Sequence, residues 1–160
     1  SFTMGHEDLG FTPSGCIYCI DHVIFPTIDD LHEKLLDYSR RENAEREMRS
    51  MEGTLKIAMK VLMNVFLVYL EQIVESAEFR TFWLGVLRRM DTCMKADLGE
   101  YGDNKLQEVV PELLTTMIGT MKEKEILVQK EDDDLWEITY IQIQWIAPAL
   151  KDELFPDEEI

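Results

Sequence analysis

Two thiols and an imidazole stand close together in GCIYCIDHVIFP, residues 15–26: Cys16, Cys19 and His22. A C-x-x-C pair followed by a histidine has two chemical readings. The three side chains could supply most of a tetrahedral zinc site, or the thiols could cycle with a disulfide. A structural zinc site needs four Cys or His ligands, commonly from a second pair at matched spacing. The remaining cysteine, Cys93, lies in a distant apolar helical pattern, and His6 and His32 have no paired partner. The competing reading is mechanical. Cys16, Cys19, Ile20 and Val23 fall at i, i+3, i+4 and i+7, one buried stripe of a helix in which free cysteine acts as a small hydrophobe. The spacing favours packing, and no metal site and no cofactor is expected.

Other reactive patterns fare no better. A di-iron bundle needs Glu-x-x-His on two helices, and the nearest match is a single Asp29-x-x-His32. The acidic run KEDDDLW, residues 130–136, lacks the spaced ligands, turn glycine and closing glutamate of a calcium loop. Acids before a helix that complement its dipole explain it more simply. No glycine-rich loop precedes a lysine, and no G-x-S-x-G elbow occurs. Arg88 and Arg89, beside Asp91, read as a solvated mixed-charge face. Trp83, Trp136 and Trp145 read as packing anchors, with Trp136 and Trp145 pointing to different sides so that one is available to a partner. No catalytic residue is assigned.

The elements that would hold these residues are helical. The chain has 160 residues, enough for one domain with a real core, and only 8 Gly and 5 Pro to interrupt regular structure. Alternating strand patterns are nearly absent, while apolar residues recur at helical steps. A first helix is expected from about residue 16 to residue 25, stopped by Pro26, with Thr27 capping the next. That second helix presents Ile28, Leu31, Leu35 and Leu36, followed by a polar, partly helical connector at 39–50. A long helix capped by Ser50 then runs to about residue 75, buried on most of its circumference. Ser76 opens a helix whose buried face is Phe79, Phe82, Trp83, Val86, Leu87, Met90, Cys93 and Met94. Asp103 or Asn104 starts the next, in which Pro111 should kink or divide the helix. A loop with a short extended piece at 126–128 leads to a final helix ended by Pro148, with one or two further turns after it.

The expected fold is therefore all-α: about seven helices in antiparallel pairs, a HEAT/armadillo-like α-solenoid segment. Residues 1–4 read as an expression scar, 5–14 as a flexible lead, 15–156 as one helical-repeat domain and 157–160 as an acidic tail. The stretch at 55–70 is interrupted by Lys56, Lys60 and Asn64 and is no membrane span. KDEL at 151–154 is followed by six residues, whereas a retention signal ends the chain.

Charge narrows the partners. With 32 acidic against 16 basic residues, the net charge of −16 repels phosphate backbones and anionic headgroups. Nucleic acid and direct anionic-membrane binding are not expected. Three cysteines suggest no disulfide framework and a reducing compartment.

Several fragments occur together in a specific order: CIDHVIFPTIDDL, MEGTLKIAMKVLMNVFL, FWLGVLRRMDTCMK, KLQEVVPELLTTMIGTMKEKEILVQ and LWEITYIQIQWIAPALKDELFP. In that order they resemble the C-terminal region of large ARF guanine-nucleotide exchange factors of the GBF/GNOM type, with the plant GNOM-like branch nearest. The resemblance covers about residues 16–156. It implies the last domain of the kind called homology downstream of Sec7, an armadillo- or HEAT-like helical array. In that family a Sec7 domain performs the exchange on an ARF GTPase, and nothing here resembles it. The implied role is a non-catalytic scaffold or regulatory segment in vesicle-mediated trafficking, endocytosis and protein transport. Its implied partners are other domains of the same chain or a second copy in a homodimer, with ARF engaged only through the parent's Sec7 domain. The implied location is cytosolic, with the parent peripheral to Golgi or endosomal membranes. The family often carries an aromatic residue where Cys16 stands, which again implies packing. Two other readings stay open: a stand-alone helical adaptor, and a Cys/His metal or redox protein. A segment of a longer array should expose an apolar flank, and the residues expected there are Ile17, Ile20, Ile24 and Phe25.

Overall fold

The computed structural model describes residues 12–156, which form helices and connecting turns with no strand among them. The expected scar, residues 5–11 of the expected lead, and the acidic tail lie outside the described residues. Thr12 opens α1 (Pro13–Cys19): its Oγ1 accepts from the Gly15 N–H at 2.9 Å, and Pro13 occupies the first turn, where a missing N–H is harmless. The helix thus begins inside the stretch expected as a lead.

Nor does it stop at Pro26. α1 continues through a π-helical segment, Ile20–Ile24, into α2 (Phe25–Arg40). The apolar phase explains the wide turn. Four residues separate the buried Ile20 from the buried Phe25, and in a straight α-helix the five steps between them would turn Phe25 about 140° off the stripe. A π turn, closed by the Phe25 N–H donating to the Ile20 carbonyl, brings it back. Pro26 then sits in the first turn of α2. Thr27 is not a cap: it lies within the helix, and its hydroxyl donates backward to the Val23 carbonyl at 2.7 Å.

Residues 41–44, with Asn43 at φ 59°, turn the chain into α3 (Glu45–Val68). The polar tract at 39–50 is therefore mostly helix, and Ser50 lies inside α3 rather than capping it. After a break at Tyr69 comes the single turn α4 (Leu70–Ile73). The next helix, α5 (Phe79–Met94), follows a turn in which Ser76 Oγ accepts from the Glu78 N–H at 3.1 Å. A 3-10 turn, Gly99–Tyr101, leads to α6 (Lys105–Glu123). Pro111 does not divide α6, because Val109, Val110, Leu113 and Leu114 are all buried and hold both sides of it in place. Residues 126–128 form no strand. Last come α7 (Leu135–Ile146) and α8 (Pro148–Leu154), with Pro148 starting the latter as well as ending the former.

Counting the continuous run 13–40 as one, the described residues make seven helices. They stack as antiparallel pairs, α2 with α3, α5 with α6, and α7 with α8, while α1 packs on α4. One layer holds α2, α5 and α7 side by side, and the other holds α3, α6 and α8. Aromatic rings bind the pairs together. Phe82 of α5 stacks against Phe25 of α2 and Phe66 of α3 at centroid distances of 5.6 and 6.2 Å. Trp83, wholly buried, meets Phe66 at 5.4 Å and donates its indole N–H to Thr139 of α7 at 2.9 Å. Glu52 provides a polar link. Fully buried on α3, its carboxylate accepts from the Asp103 and Lys105 N–H groups at 3.2 and 2.9 Å, satisfying and charge-complementing the start of α6.

Candidate functional site

The three residues of the opening motif point to different surroundings: Cys16 and Cys19 lie in α1, and His22 in the π segment. Cys16 is buried, and burial, then the neighbouring Cys19, push its thiol above the usual range. Cys19 is exposed. His22 is exposed too; its ring stacks on Tyr18 at 3.8 Å, with Nδ1 2.9 Å from the Tyr18 carbonyl. Cys93 lies in the core of α5 with its thiol pushed up to about 12 by burial. Among the described residues no three His, Cys, Asp or Glu side chains converge on a point where they could hold a metal ion.

The expected stripe of Cys16, Cys19, Ile20 and Val23 is also revised. The buried line runs Cys16, Ile17, Ile20, Phe25, Ile28, and Cys19 and Val23 face solvent. Three of the four residues expected on an open flank, Ile17, Ile20 and Phe25, consequently pack inside the molecule, while Ile24 is half-buried. The spacing of the sequence alone conceals the added residue of the wide turn.

Two concave surfaces border the 13–40 run. The first, about 520 Å³, lies between the α1–α2 run and α5, with Ile17, Phe25 and Phe82 at its base and Asp21, Glu78 and Arg88 at its rim. Arg89, expected to be solvated with Arg88, is instead largely covered. Its guanidinium lies 3.9 Å from the Phe25 ring centroid, donates to Asp29 Oδ2 at 2.8 Å and to the Gly85 carbonyl at 3.1 Å, and leaves its buried Nε–H without a partner. Gly85 allows this approach, since a Cβ there would come within 3.0 Å of Phe25 Cε2. Arg89 thus joins α5 to α2. Among the described residues the cleft's lining pairs no nucleophile with a base.

The second surface is a groove of about 220 Å³ between α2 and α3, lined by Val23, Ile24, Thr27, Ile28, Ala58 and Val61. It continues along α3, where Ile57, Val61 and Val68 are exposed on the side opposite the buried Leu55, Met59, Leu62 and Phe66. Between residues 55 and 70 the helix is buried or half-buried on most of its circumference, as expected, but its exposed remainder is largely apolar too. It carries two apolar stripes, one inward and one outward. The signal was available in the spacing: Ile57, Val61 and Val68 repeat at i, i+4 and i+11, on one helical face. At the far end of the stack Trp145 is 72% exposed and Ile141 is exposed beside it, whereas Trp136 packs on Tyr140 and Phe155.

No helix among the described residues is long and apolar enough to cross a membrane. A family model described as "GBF1-like, tetratrico peptide repeat region" matches residues 1–150. Over 158 residues, 97% of this chain, the sequence is 42% identical to the ARF guanine-nucleotide exchange factor GNOM of Arabidopsis thaliana. It is 31% identical over 145 residues, 89% of the chain, to the ARF guanine-nucleotide exchange factor GNL1 of the same plant. The chain spans 10% of the length of each of these relatives. No solved structure matches. The stacked helical pairs agree with a repeat region, and the family description refines the expected HEAT or armadillo type to a tetratricopeptide type.

Proposed function

Because the chain belongs to the family of the GBF1-like tetratrico peptide repeat region, we propose that it serves as a non-catalytic helical scaffold within an ARF guanine-nucleotide exchange factor. The reading rests chiefly on one observation, the 42% identity to GNOM that runs through nearly the whole chain. In this reading the segment corresponds to the last homology-downstream-of-Sec7 domain of a plant GNOM-like parent. The parent activates ARF GTPases in vesicle-mediated trafficking, from the cytosolic side of Golgi or endosomal membranes. The segment contributes surfaces to other domains of that parent. The packing supports such a role: three helix pairs are fastened through Phe82, Trp83 and Glu52, leaving outward-facing flanks at both ends of a rigid stack.

A nucleotide-exchange assay on purified ARF tests the proposal. The isolated 160-residue chain should leave the rate of GDP release unchanged. Acceleration by the chain alone would overturn the non-catalytic assignment. A tagged parent whose membrane association ignores removal of this segment would count against a scaffolding contribution to recruitment.

A further inference from the structure

The two ends of the helical stack each leave an apolar flank open. At one end, the α2–α3 flank offers an apolar groove bounded by Val23, Ile24, Ala58 and Val61, extended by Ile57 and Val68. At the other, α7 turns Thr139 and Ile143 inward, with Thr139 bonded to Trp83, and presents Ile141 and Trp145 on its opposite side. Within the molecule, α7 already packs flank-on against α5 and α5 against α2. Another molecule's α7 placed on the open α2–α3 flank would continue the stack with the same kind of helix-to-helix contact.

Charge selects the same two surfaces. A net charge of −16 makes most of the surface repel a second copy. On α3, however, the residues between Glu52 and Glu71 include no acid and two lysines, Lys56 and Lys60. On α7 and the start of α8 no charged residue intervenes between Glu137 and Lys151. Beside the α3 strip the exposed Lys60 adjoins Val61, and on α7 the exposed Glu137 stands one turn before Ile141, while the nearby Asp30 and Asp134 are already paired with Lys34 and Arg80. The aromatic ring of Trp145 is the largest apolar group left open to solvent, and such rings are the usual anchors of interfaces.

We propose that copies of this chain associate head to tail. The α7 flank of one copy inserts Trp145 and Ile141 into the α2–α3 groove of the next, drawing Glu137 towards Lys60. The interface is heterologous, so each copy keeps one free end of each kind, and the assembly grows beyond a dimer. The inference stands on the two flanks and does not require the scaffold reading above.

Sedimentation equilibrium on the intact chain tests it, with protein raised through the ~10–100 µM range suited to a small interface. The mass average should climb past that of a dimer as concentration rises. Val61→Glu and Trp145→Glu, both at exposed positions, should each remain monomeric with unchanged helical circular dichroism. Ile57→Glu and Ile141→Glu replace them if either fails to fold. The decisive sample is an equimolar mixture of the two variants. Each retains one intact end, so the mixture should form a one-to-one pair and nothing larger. A monomeric wild type at all concentrations would overturn the proposal, leaving the flanks to a different protein surface. A wild type that stops at a dimer, a mixture that stays monomeric, or a single variant that still polymerises would each overturn it as well.

Discussion

Cys93 shows how burial sets the chemistry of one side chain. It is 1% exposed on α5, and loss of solvent pushes its thiol up to about 12 from the ordinary 9.0, with Asp29 adding to the effect. A thiol that ionises less readily in the folded state stabilises the fold fully below its ordinary value. That contribution is lost as pH rises from 9.0 through about 12, because the unfolded chain releases the proton first. Urea midpoints should therefore fall with pH across that window, and Cys93→Ala should flatten the fall. In native protein, thiol-directed alkylation near neutral pH should modify the exposed Cys19 and spare Cys16 and Cys93 until urea is added. Mass spectrometry after digestion reads which cysteine carries the label. The reading of Cys16 as packing was legible from its helical spacing. The exposure of Cys19 was not, because the inward face of α1 is centred on Cys16, Ile17 and Ile20, and Cys19 falls about 110° away from that centre.

At the scale of the element, the run 13–40 is held on its neighbours by a change of helical pitch. In an ordinary helix interior proline costs about 3 kcal/mol, by losing a hydrogen bond and clashing with the preceding turn. At Pro26 the π turn has already displaced the bonding register, and the ring lies in the first turn of α2. Pro26→Ala should consequently change stability by less than about 1 kcal/mol in chemical denaturation. A gain near 3 kcal/mol would show that Pro26 is strained and that the π turn does not relieve it. Proline was a misleading stop signal here, as at Pro111, since in both helices buried apolar residues continue on either side. Helix existence and pairing were readable from periodicity at α5 and α6, where seven and eight buried apolar positions keep one phase. The α3 start was displaced because Ser50 and Gly53 resemble boundary residues, yet Met48 and Glu52 are buried and carry the helix through them.

For the whole molecule, the Phe66–Phe82–Trp83 cluster determines whether three helix pairs act as one unit. The Trp83 indole N–H reaches across to Thr139, and both side chains are wholly buried. Thr139→Val keeps the shape but strands that donor, at a cost of about 1–3 kcal/mol. The urea midpoint of the entire transition should drop with its slope unchanged. Two resolved transitions would instead show the last pair unfolding separately, as repeat arrays can when neighbour contacts are weak. Such links between pairs escaped the sequence: nothing local marks Glu52, Gly85, Arg89 or Thr139 as partners of residues dozens of positions away. The outer faces were half legible, since an exposed apolar flank was anticipated on the first pair but its residues shifted from Ile17, Ile20 and Phe25 to Val23, Ile57, Val61 and Val68.

The three tryptophans sit at three depths: Trp83 sealed in the core, Trp136 partly covered beside Phe155, and Trp145 in open solvent. Their fluorescence is accordingly a built-in depth gauge. A soluble quencher such as iodide should extinguish the red-shifted emission of Trp145 first and that of Trp83 last, and any surface that settles on the α7 flank should shield the first component alone.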